Sequence, residues 1–271
     1  MPARARVLVV AGSDSGGGAG IQADIKTVTA LGGYAATAVT ALTAQNTEGV
    51  FAVHDVPADF VARQMAVVLD DIGADAIKTG MLHRPEVIDV VGDICRRRPD
   101  GVGLVVDPVM VAKGGASLLE PEADRALVEA LVAQADLVTP NLPEAERLTG
   151  VSIHAPDAME AAGRRILDLG AKAVLVKGGH LAGTRIVDLL VTADEVRSFE
   201  STRIETRHTH GTGCTLASAI ATGLAQKLSL ADAVARARDY VAAAIRGAPG
   251  LGRGHGPLDH GHPLAPRQPV S

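Results

Sequence analysis

Short aliphatic runs alternate along this chain with longer segments of helical periodicity, and this alternation limits the possible folds more than any other feature. Several of the aliphatic runs are continuous rather than alternating, as in strands that are buried on both faces. The predicted strands are 7–11, 35–42, 76–79, 103–107, 137–139, 173–177 and 186–190. The main predicted helices are 58–69, 86–97, 122–134, 157–169 and 230–245.

This order of elements predicts an α/β fold with a doubly wound, mostly parallel sheet and helices on both faces. A chain of 271 residues is long enough for one large domain with a substantial core. We find no linker, shift in composition or repeat that would divide it. We therefore expect a single domain over residues 1–260 and a disordered tail over 261–271.

Composition and charge exclude several classes of protein. A net charge of −5, three Phe, two Tyr and no Trp argue against a nucleic-acid partner, which needs a basic surface or stacking side chains. Two cysteines, Cys95 and Cys214, are too few for a disulfide framework. No signal peptide and no apolar stretch of membrane-spanning length are evident, so we expect a cytoplasmic protein without a membrane partner.

Polar residues follow most of the predicted strands at the point where each strand ends. Ligands of doubly wound sheets bind beyond the carboxyl ends of the strands, so these residues are expected to converge. They lie at positions 13–18, 45–46, 80–81, 107–108, 141–144 and 178–180. A polar, glycine-bearing turn at 208–213 also leads into a helix-like run, whose N-terminus would present N–H groups to an anion such as phosphate.

The residues at these positions fit magnesium-assisted phosphoryl transfer. Asp107 and Glu144 could hold Mg²⁺ through water, and Lys177 could reach the phosphates of a nucleotide. The Gly211–Gly213 turn could bind developing negative charge with backbone N–H groups. Cys214 at the helix N-terminus is expected to favour its thiolate form and to deprotonate the attacking hydroxyl. No P-loop is present, and no Gly-x-Gly-x-x-Gly follows the first strand.

Ordered motifs over roughly residues 7–260 carry a family resemblance. They read AGSDSGGGAGIQAD at 11–24, TALTAQNT at 40–47, KTGML at 78–82, DPVMVAK at 107–113, TPNLPEA at 139–145, KGGH at 177–180, THGTGCT at 209–215 and GHGP at 254–257. In these motifs the chain resembles the hydroxymethylpyrimidine/phosphomethylpyrimidine kinases of thiamine biosynthesis, a family of the ribokinase-like superfamily.

The resemblance implies a ribokinase-like three-layer α/β/α fold and an ATP- and Mg²⁺-dependent kinase, which tends to form homodimers. Its substrate would be 4-amino-5-hydroxymethyl-2-methylpyrimidine and then the monophosphate of that compound. The implied catalytic residues are Cys214, Gly211 and Gly213. The implied pyrimidine pocket consists of Gln45, Asp24, Gly12 and Met81, the ATP site of Lys177, Asn141, Thr209 and Gly211, and the metal site of Asp107 and Glu144.

Three other functions remain in competition. The nearest alternative is a pyridoxal or pyridoxine kinase, since the same scaffold accepts such alcohols in relatives; Gln45 and Cys214 favour the pyrimidine. An NAD-dependent oxidoreductase is disfavoured by the missing dinucleotide motif. A sensor without catalysis would have lost Cys214, Asp107 or Lys177, and all three are present. Where the chain departs from the family, at His208 and Gly114-Gly115, we assign no role.

Overall fold

Nine strands form one sheet in a computed structural model that describes residues 4–111, 115, 118–120, 123–181 and 183–264. The strand order is β3-β2-β1-β4-β5-β6-β7-β8-β9. The strands are β1 (Arg6–Asp14), β2 (Tyr34–Gln45), β3 (Val50–Asp55), β4 (Ala76–Thr79), β5 (Gly103–Val106), β6 (Leu137–Val138), β7 (Ala173–Val176), β8 (Arg185–Thr192) and β9 (Val196–Thr202).

Helices cover both faces of this sheet. They are α1 (Gly20–Ala30), α2 (Ala58–Asp71), α3 (Pro85–Arg96), α4 (Ala123–Ala130), α5 (Leu142–Thr149), α6 (Pro156–Asp168), α7 (Thr212–Ala225) and α8 (Leu230–Arg246), with a 3-10 turn at Val132–Gln134. Residues of α2 to α6 pack into one core, and residues of α7 and α8 pack into a second core on the opposite face. Since both faces are covered, the three-layer α/β/α prediction is confirmed.

The central strands are buried on both sides, which explains their continuous aliphatic sequence. In β1, Leu8 and Val10 point into the first core, whereas Val7 and Val9 point into the second core, and all four have no exposed surface. Six adjacent strands run parallel, in the order β2-β1-β4-β5-β6-β7. The strands β3, β8 and β9 pair antiparallel with their neighbours. The sheet is therefore mostly parallel, as predicted.

The winding direction of the sheet reverses at β1. The chain runs from β1 through α1 to β2 on one side, and later returns through α2 to place β4 on the other side of β1. Such a reversal opens a crevice at the carboxyl ends of the strands. The segments that follow β1, β5 and β7 therefore all meet the N-terminus of α7 at one edge of the sheet.

Four elements were not predicted, and one predicted helix is divided. The edge strands β3 and β9 and the helices α1 and α5 were missed. The predicted helix 122–134 is α4 followed by a separate 3-10 turn, because Leu131 leaves the helical conformation at φ −121°. Glu122 of this predicted helix lies outside the described residues. So do residues 112–113 of the DPVMVAK motif and the first glycine, residue 114, of the pair at 114–115. No described helix has the length and apolar character needed to cross a membrane.

The segment after α8 folds back onto the domain instead of leaving it. His260 is buried, and the Tyr240 hydroxyl donates a hydrogen bond of 2.7 Å to its carbonyl oxygen. The backbone N–H of His210 donates to the carbonyl oxygen of Gly256, which fixes this segment beside the loop that precedes α7. Residues 261–264 form a turn, and the rest of the predicted tail, 265–271, lies outside the described residues.

Candidate active site

A buried ion pair lies where β5 and β7 end. The Nζ atom of Lys177 is 3.1 Å from Oδ1 of Asp107, and the Thr139 hydroxyl donates to the same oxygen at 3.0 Å. Burial by itself would lower the pKa of Lys177, but the carboxylates of Asp107 and Glu144 outweigh burial and raise it. Lys177 is therefore a fixed positive charge at the mouth of the site, as a residue that holds phosphate should be.

Glu144 lies in the first turn of α5, where a capping box holds it. The Asn141 side chain accepts a hydrogen bond from the Glu144 backbone N–H, and the Asn141 N–H donates to the Glu144 carboxylate. Burial raises the pKa of Glu144 to about 7; the Asp107 carboxylate adds to this effect and Lys177 opposes it. The side-chain oxygen of Asn141 thus orients Glu144, and its predicted contact with ATP stays a prediction.

The donor set of this site fits a divalent cation. Asp107 and Glu144 bring two carboxylates close enough to raise the pKa of Glu144, and a cation would relieve this excess of negative charge. Among the described residues, no group of three or more His, Cys, Asp or Glu side chains could hold a metal ion. A metal bound here would keep several water or substrate oxygens, which is the usual coordination of Mg²⁺.

The N-terminus of α7 provides free backbone donors beside this ion pair. Gly211 is its N-cap residue at φ +82°, a conformation that favours glycine, and no side chain caps the helix. In the described part of the chain, the N–H groups of Gly213 and Cys214 have no hydrogen-bond partner. A Cβ atom at Gly213 would lie only 3.4 Å from Lys177 Nζ and 3.6 Å from Asp107 Oδ2. Donors, helix dipole and ammonium group therefore face one volume that suits an anion.

Cys214 begins the same helix, but the expected thiolate is wrong for this structure. Burial raises the pKa of Cys214 to about 11, and the charges of Asp24 and Asp107 raise it further, while Lys78 and a hydrogen bond from the Gly20 N–H act in the opposite direction. The cost of removing water from the thiolate thus outweighs the stabilisation that the N-terminus of the helix gives to it. At neutral pH the side chain is a thiol.

Beneath Cys214 lies a second ion pair, which changes the interpretation of Asp24. The Nζ atom of Lys78 is 3.0 Å from both carboxylate oxygens of Asp24, and neither side chain is exposed to solvent. The Ser218 hydroxyl, one turn along α7 from Cys214, donates to Asp24 at 2.6 Å. This placement argues against the predicted contact of Asp24 with a pyrimidine, because its oxygens already accept three hydrogen bonds inside the protein.

Gly12 and Met81, two residues of the predicted pyrimidine pocket, lie in contact. The Gly12 N–H donates to the Met81 carbonyl oxygen at 3.1 Å, and a Cβ atom at Gly12 would lie 3.0 Å from the Met81 sulfur. Gln45 is partly buried at the end of β2, with its amide nitrogen 3.3 Å from Nε2 of His210. Thr209 shapes the turn before α7, since its carbonyl oxygen accepts from the Thr212 hydroxyl.

Sequence reasoning missed the contacts that Lys78, Thr139 and His210 make at this edge of the sheet. Lys78 carried a signal, because a lysine in a four-residue strand of otherwise buried residues needs a buried partner. His210 lies within the predicted anion-binding turn, yet nothing in the sequence connects it to Asp14, which is 196 residues away. Both contacts depend on tertiary structure.

The fold and the site together define a class of protein: a phosphotransferase with a three-layer α/β/α fold, which binds its ligands at the carboxyl ends of the parallel strands. Residues 14–259 match the phosphomethylpyrimidine kinase family, and the chain belongs to that family.

Known proteins agree with this membership. The chain is 51% identical over 258 residues to the hydroxymethylpyrimidine/phosphomethylpyrimidine kinase of Rhizobium meliloti, covering 94% of this chain and 96% of that protein. It is 55% identical over 260 residues to the thiamine biosynthesis bifunctional protein ThiED of Geobacter sulfurreducens, covering 95% of this chain but only 52%, about half, of that longer protein. The pyridoxal kinase of Staphylococcus aureus, solved with AMP-PCP and pyridoxal, is 35% identical with a TM-score of 0.88 and covers 96% of this chain and 94% of that one.

Proposed function

We propose that this chain transfers the γ-phosphoryl group of ATP to the hydroxymethyl oxygen of 4-amino-5-hydroxymethyl-2-methylpyrimidine, and then converts the monophosphate to the diphosphate. The observation that carries the proposal is the free N-terminus of α7 beside the ion pair of Lys177 and Asp107. Relatives named for both pyrimidine phosphorylations support the choice of substrate, and a neighbour solved with an ATP analogue supports the choice of phosphoryl donor.

In the first step, the hydroxymethyl oxygen attacks the γ-phosphorus, its proton passes to the thiolate form of Cys214, and the bond to the leaving ADP oxygen breaks. Lys177 and the N–H groups of Gly213 and Cys214 would stabilise charge on the transferred group. Because the pKa of Cys214 is about 11, only about one protein in 10⁴ carries the thiolate at pH 7. The first step should therefore accelerate as the pH rises.

Asp107 and Glu144 would hold Mg²⁺ through water, and this ion would neutralise charge on the phosphates. Asn141, Thr209 and Gly211 would line the nucleotide side of the site. In the second step the nucleophile is a phosphate anion, which needs no base. Cys214 should therefore contribute much less to the second phosphorylation than to the first.

The test is coupled ATP turnover with Mg²⁺, offering hydroxymethylpyrimidine, its monophosphate and pyridoxal in parallel. Efficient turnover of both pyrimidines and weak turnover of pyridoxal are expected. Cys95→Ala is a matched control for substitutions of Cys214, since Cys95 is buried on α3 away from the site. A preference for pyridoxal would replace the proposal with a pyridoxal kinase, for which the structural similarity to the staphylococcal enzyme already gives a reason. No turnover of any substrate would refute both.

We also propose that two copies associate through the β3 edge of the sheet. Of the nine large apolar side chains exposed in the described residues, six fall within residues 25–67, among them Phe51 at 70% and Phe60 at 55% exposure. Three of the six, Tyr34, Leu42 and Phe51, lie on β2 and β3 at one edge of the sheet, and exposed apolar side chains grouped in this way are typical of an interface. Light scattering after size exclusion should give a dimer, and Phe51→Glu should give a monomer, while Leu264→Glu, at an equally exposed residue elsewhere, should not. A monomeric wild-type protein would contradict this.

A further inference from the structure

Three side chains from distant parts of the sequence meet at the pyrimidine side of the site. Asp14 ends β1, Gln45 ends β2, and His210 precedes α7. The Nε2 atom of His210 is 2.8 Å from Oδ2 of Asp14 and 3.3 Å from the amide nitrogen of Gln45. None of the roles assigned above uses His210, although it contacts a residue of the predicted pocket.

The charge of Asp14 determines whether the Nε2 atom of His210 donates or accepts the hydrogen bond between them. Burial by itself would raise the pKa of Asp14, but His210 and the backbone N–H groups of Ala19 and Gly16 outweigh burial and lower it. Asp14 is thus a carboxylate and can only accept hydrogen bonds. The Nε2 atom of His210 must therefore carry a hydrogen and donate it to Asp14.

This hydrogen determines the orientation of the Gln45 carboxamide. An amide NH₂ group cannot donate to an N–H group, so the Gln45 atom that faces His210 has to be the carbonyl oxygen. The oxygen and nitrogen of an amide exchange places with almost no change in shape, and the hydrogen-bond network decides between them. The NH₂ group then faces the hydroxyl oxygen of Thr43 at 3.1 Å. Thr43 donates its single hydrogen to the Ser13 carbonyl oxygen at 2.9 Å, which leaves its oxygen free to accept.

We propose that His210, held by Asp14, is a positioning residue that sets substrate preference by fixing Gln45 with its oxygen toward His210 and its NH₂ group toward Thr43. The fixed amide keeps one acceptor site and one donor hydrogen for a ligand. An aminopyrimidine edge offers the complementary pair, an exocyclic NH₂ donor beside a ring-nitrogen acceptor, whereas a pyridine alcohol lacks the amine. A fixed amide favours the aminopyrimidine, because a wrong ring leaves a buried polar group unpaired. This inference rests on the proposed function.

The kinetic test compares kcat/KM for hydroxymethylpyrimidine and for pyridoxal in the wild type, His210→Leu and His210→Gln. The leucine variant should lower the ratio of the two values about tenfold, mainly through KM, because one hydrogen-bond orientation is lost. The glutamine variant should restore most of the ratio, since its amide can donate from about the position of Nε2. His255→Leu, at an exposed histidine of the neighbouring segment, is the matched control and should leave the ratio unchanged.

The outcomes separate this inference from the proposed function. A wild type that does not use hydroxymethylpyrimidine refutes the proposed function and the inference with it. A wild type that uses the pyrimidine, with a leucine variant whose two kcat/KM values fall equally, refutes the inference alone. Nitrogen-15 NMR of histidine in the wild-type protein gives a second test that needs no variant. The neutral ring of His210 should carry its hydrogen on Nε2, which faces Asp14, and a neutral ring with its hydrogen on Nδ1 would overturn the inference.

Discussion

The strongest quantitative prediction concerns Glu144, whose burial should make the protein less stable as the pH rises. A pKa raised from 4.5 to about 7 means that the folded protein disfavours the carboxylate by about 3 kcal/mol relative to the unfolded chain. The folded state therefore binds a proton more tightly than the unfolded state between these two values. The corresponding stability is fully present below pH 4.5 and is lost as the pH rises through about 7.

Glu144→Gln removes this titration while keeping an oxygen that can accept from the Asn141 N–H. The free energy of unfolding of the variant minus that of the wild type should thus increase by about 3 kcal/mol between pH 4 and pH 8. Urea denaturation at each pH measures both proteins, and the effects of all other groups cancel in the difference. Glu129→Gln, at an exposed residue with an ordinary surface ion pair, is the control and should lack this increase, because such ion pairs contribute little to stability.

A difference in the free energy of unfolding between Glu144→Gln and the wild type that stays constant with pH would refute this reasoning.

Mg²⁺ provides a second comparison. At pH 8 the ion should raise the stability of the wild type more than that of the variant, because a cation beside Asp107 and Glu144 offsets the cost of the buried carboxylate. The same substitution should reduce kinase activity, so the stabilised variant would be the less active one.

Further predictions concern Cys214, the ion pair of Lys78 and Asp24 beneath it, and the turn before α7. The kcat/KM of the first phosphorylation should rise as the pH rises from 7 to 9, because burial raises the pKa of Cys214 above its usual value; a rate that does not change over this range would contradict this. Cys214→Ala should slow the first phosphorylation by about 10²- to 10⁴-fold and the second far less, which steady-state assays of the two substrates measure; equal losses would argue against a role as base. Lys78→Met should cost about 3–5 kcal/mol in urea denaturation by leaving Asp24 unpaired, and adding Asp24→Asn should recover much of it; a loss below about 1 kcal/mol would show that the pair is not needed. Gly211→Ala should lower both the thermal midpoint and kcat/KM, because a φ of +82° disfavours a side chain and the added Cβ would collide with a carbonyl oxygen. Gly49→Ala is the control, since a Cβ there would lie in open space. Equal effects of the two substitutions would contradict this prediction.

The fold could be predicted to the extent that burial on both faces shapes the sequence. β4 was predicted with its observed bounds, because all four of its residues are buried. The edge strand β3 was missed, since its side chains are exposed or partly exposed and include the polar His54. Helix α1 was missed because it starts in a glycine-rich loop and has no side-chain cap. An element could thus be recognised from the sequence where its residues are buried or where a residue typical of a helix cap marks its start.

The site could be located from the sequence, but its ionisation states could not. Strand ends placed Asp107, Glu144 and Lys177 together, because parallel strands bring their carboxyl ends to one edge. The pKa of Cys214 depends on how much water the folded chain removes and on the charges around it, and neither is encoded in the motif. Asp24 likewise looked like a ligand contact until Lys78, 54 residues away, proved to hold it.

The raised pKa values of Glu144 and Cys214 share the same two causes: burial is the larger one, and the negative charge of nearby carboxylates adds to it. Its buried groups include three carboxylates, those of Asp24, Asp107 and Glu144, but only two ammonium groups, those of Lys78 and Lys177. A thiolate at Cys214 would add to the excess of negative charge. The ligand-free protein limits this excess by keeping protons on Glu144 and Cys214, whose pKa values both rise. A cation bound beside Asp107 should lower both values together, and linkage then requires that such a cation bind more tightly as the pH rises. Ionisation of the base and binding of the cation are in this way parts of one equilibrium.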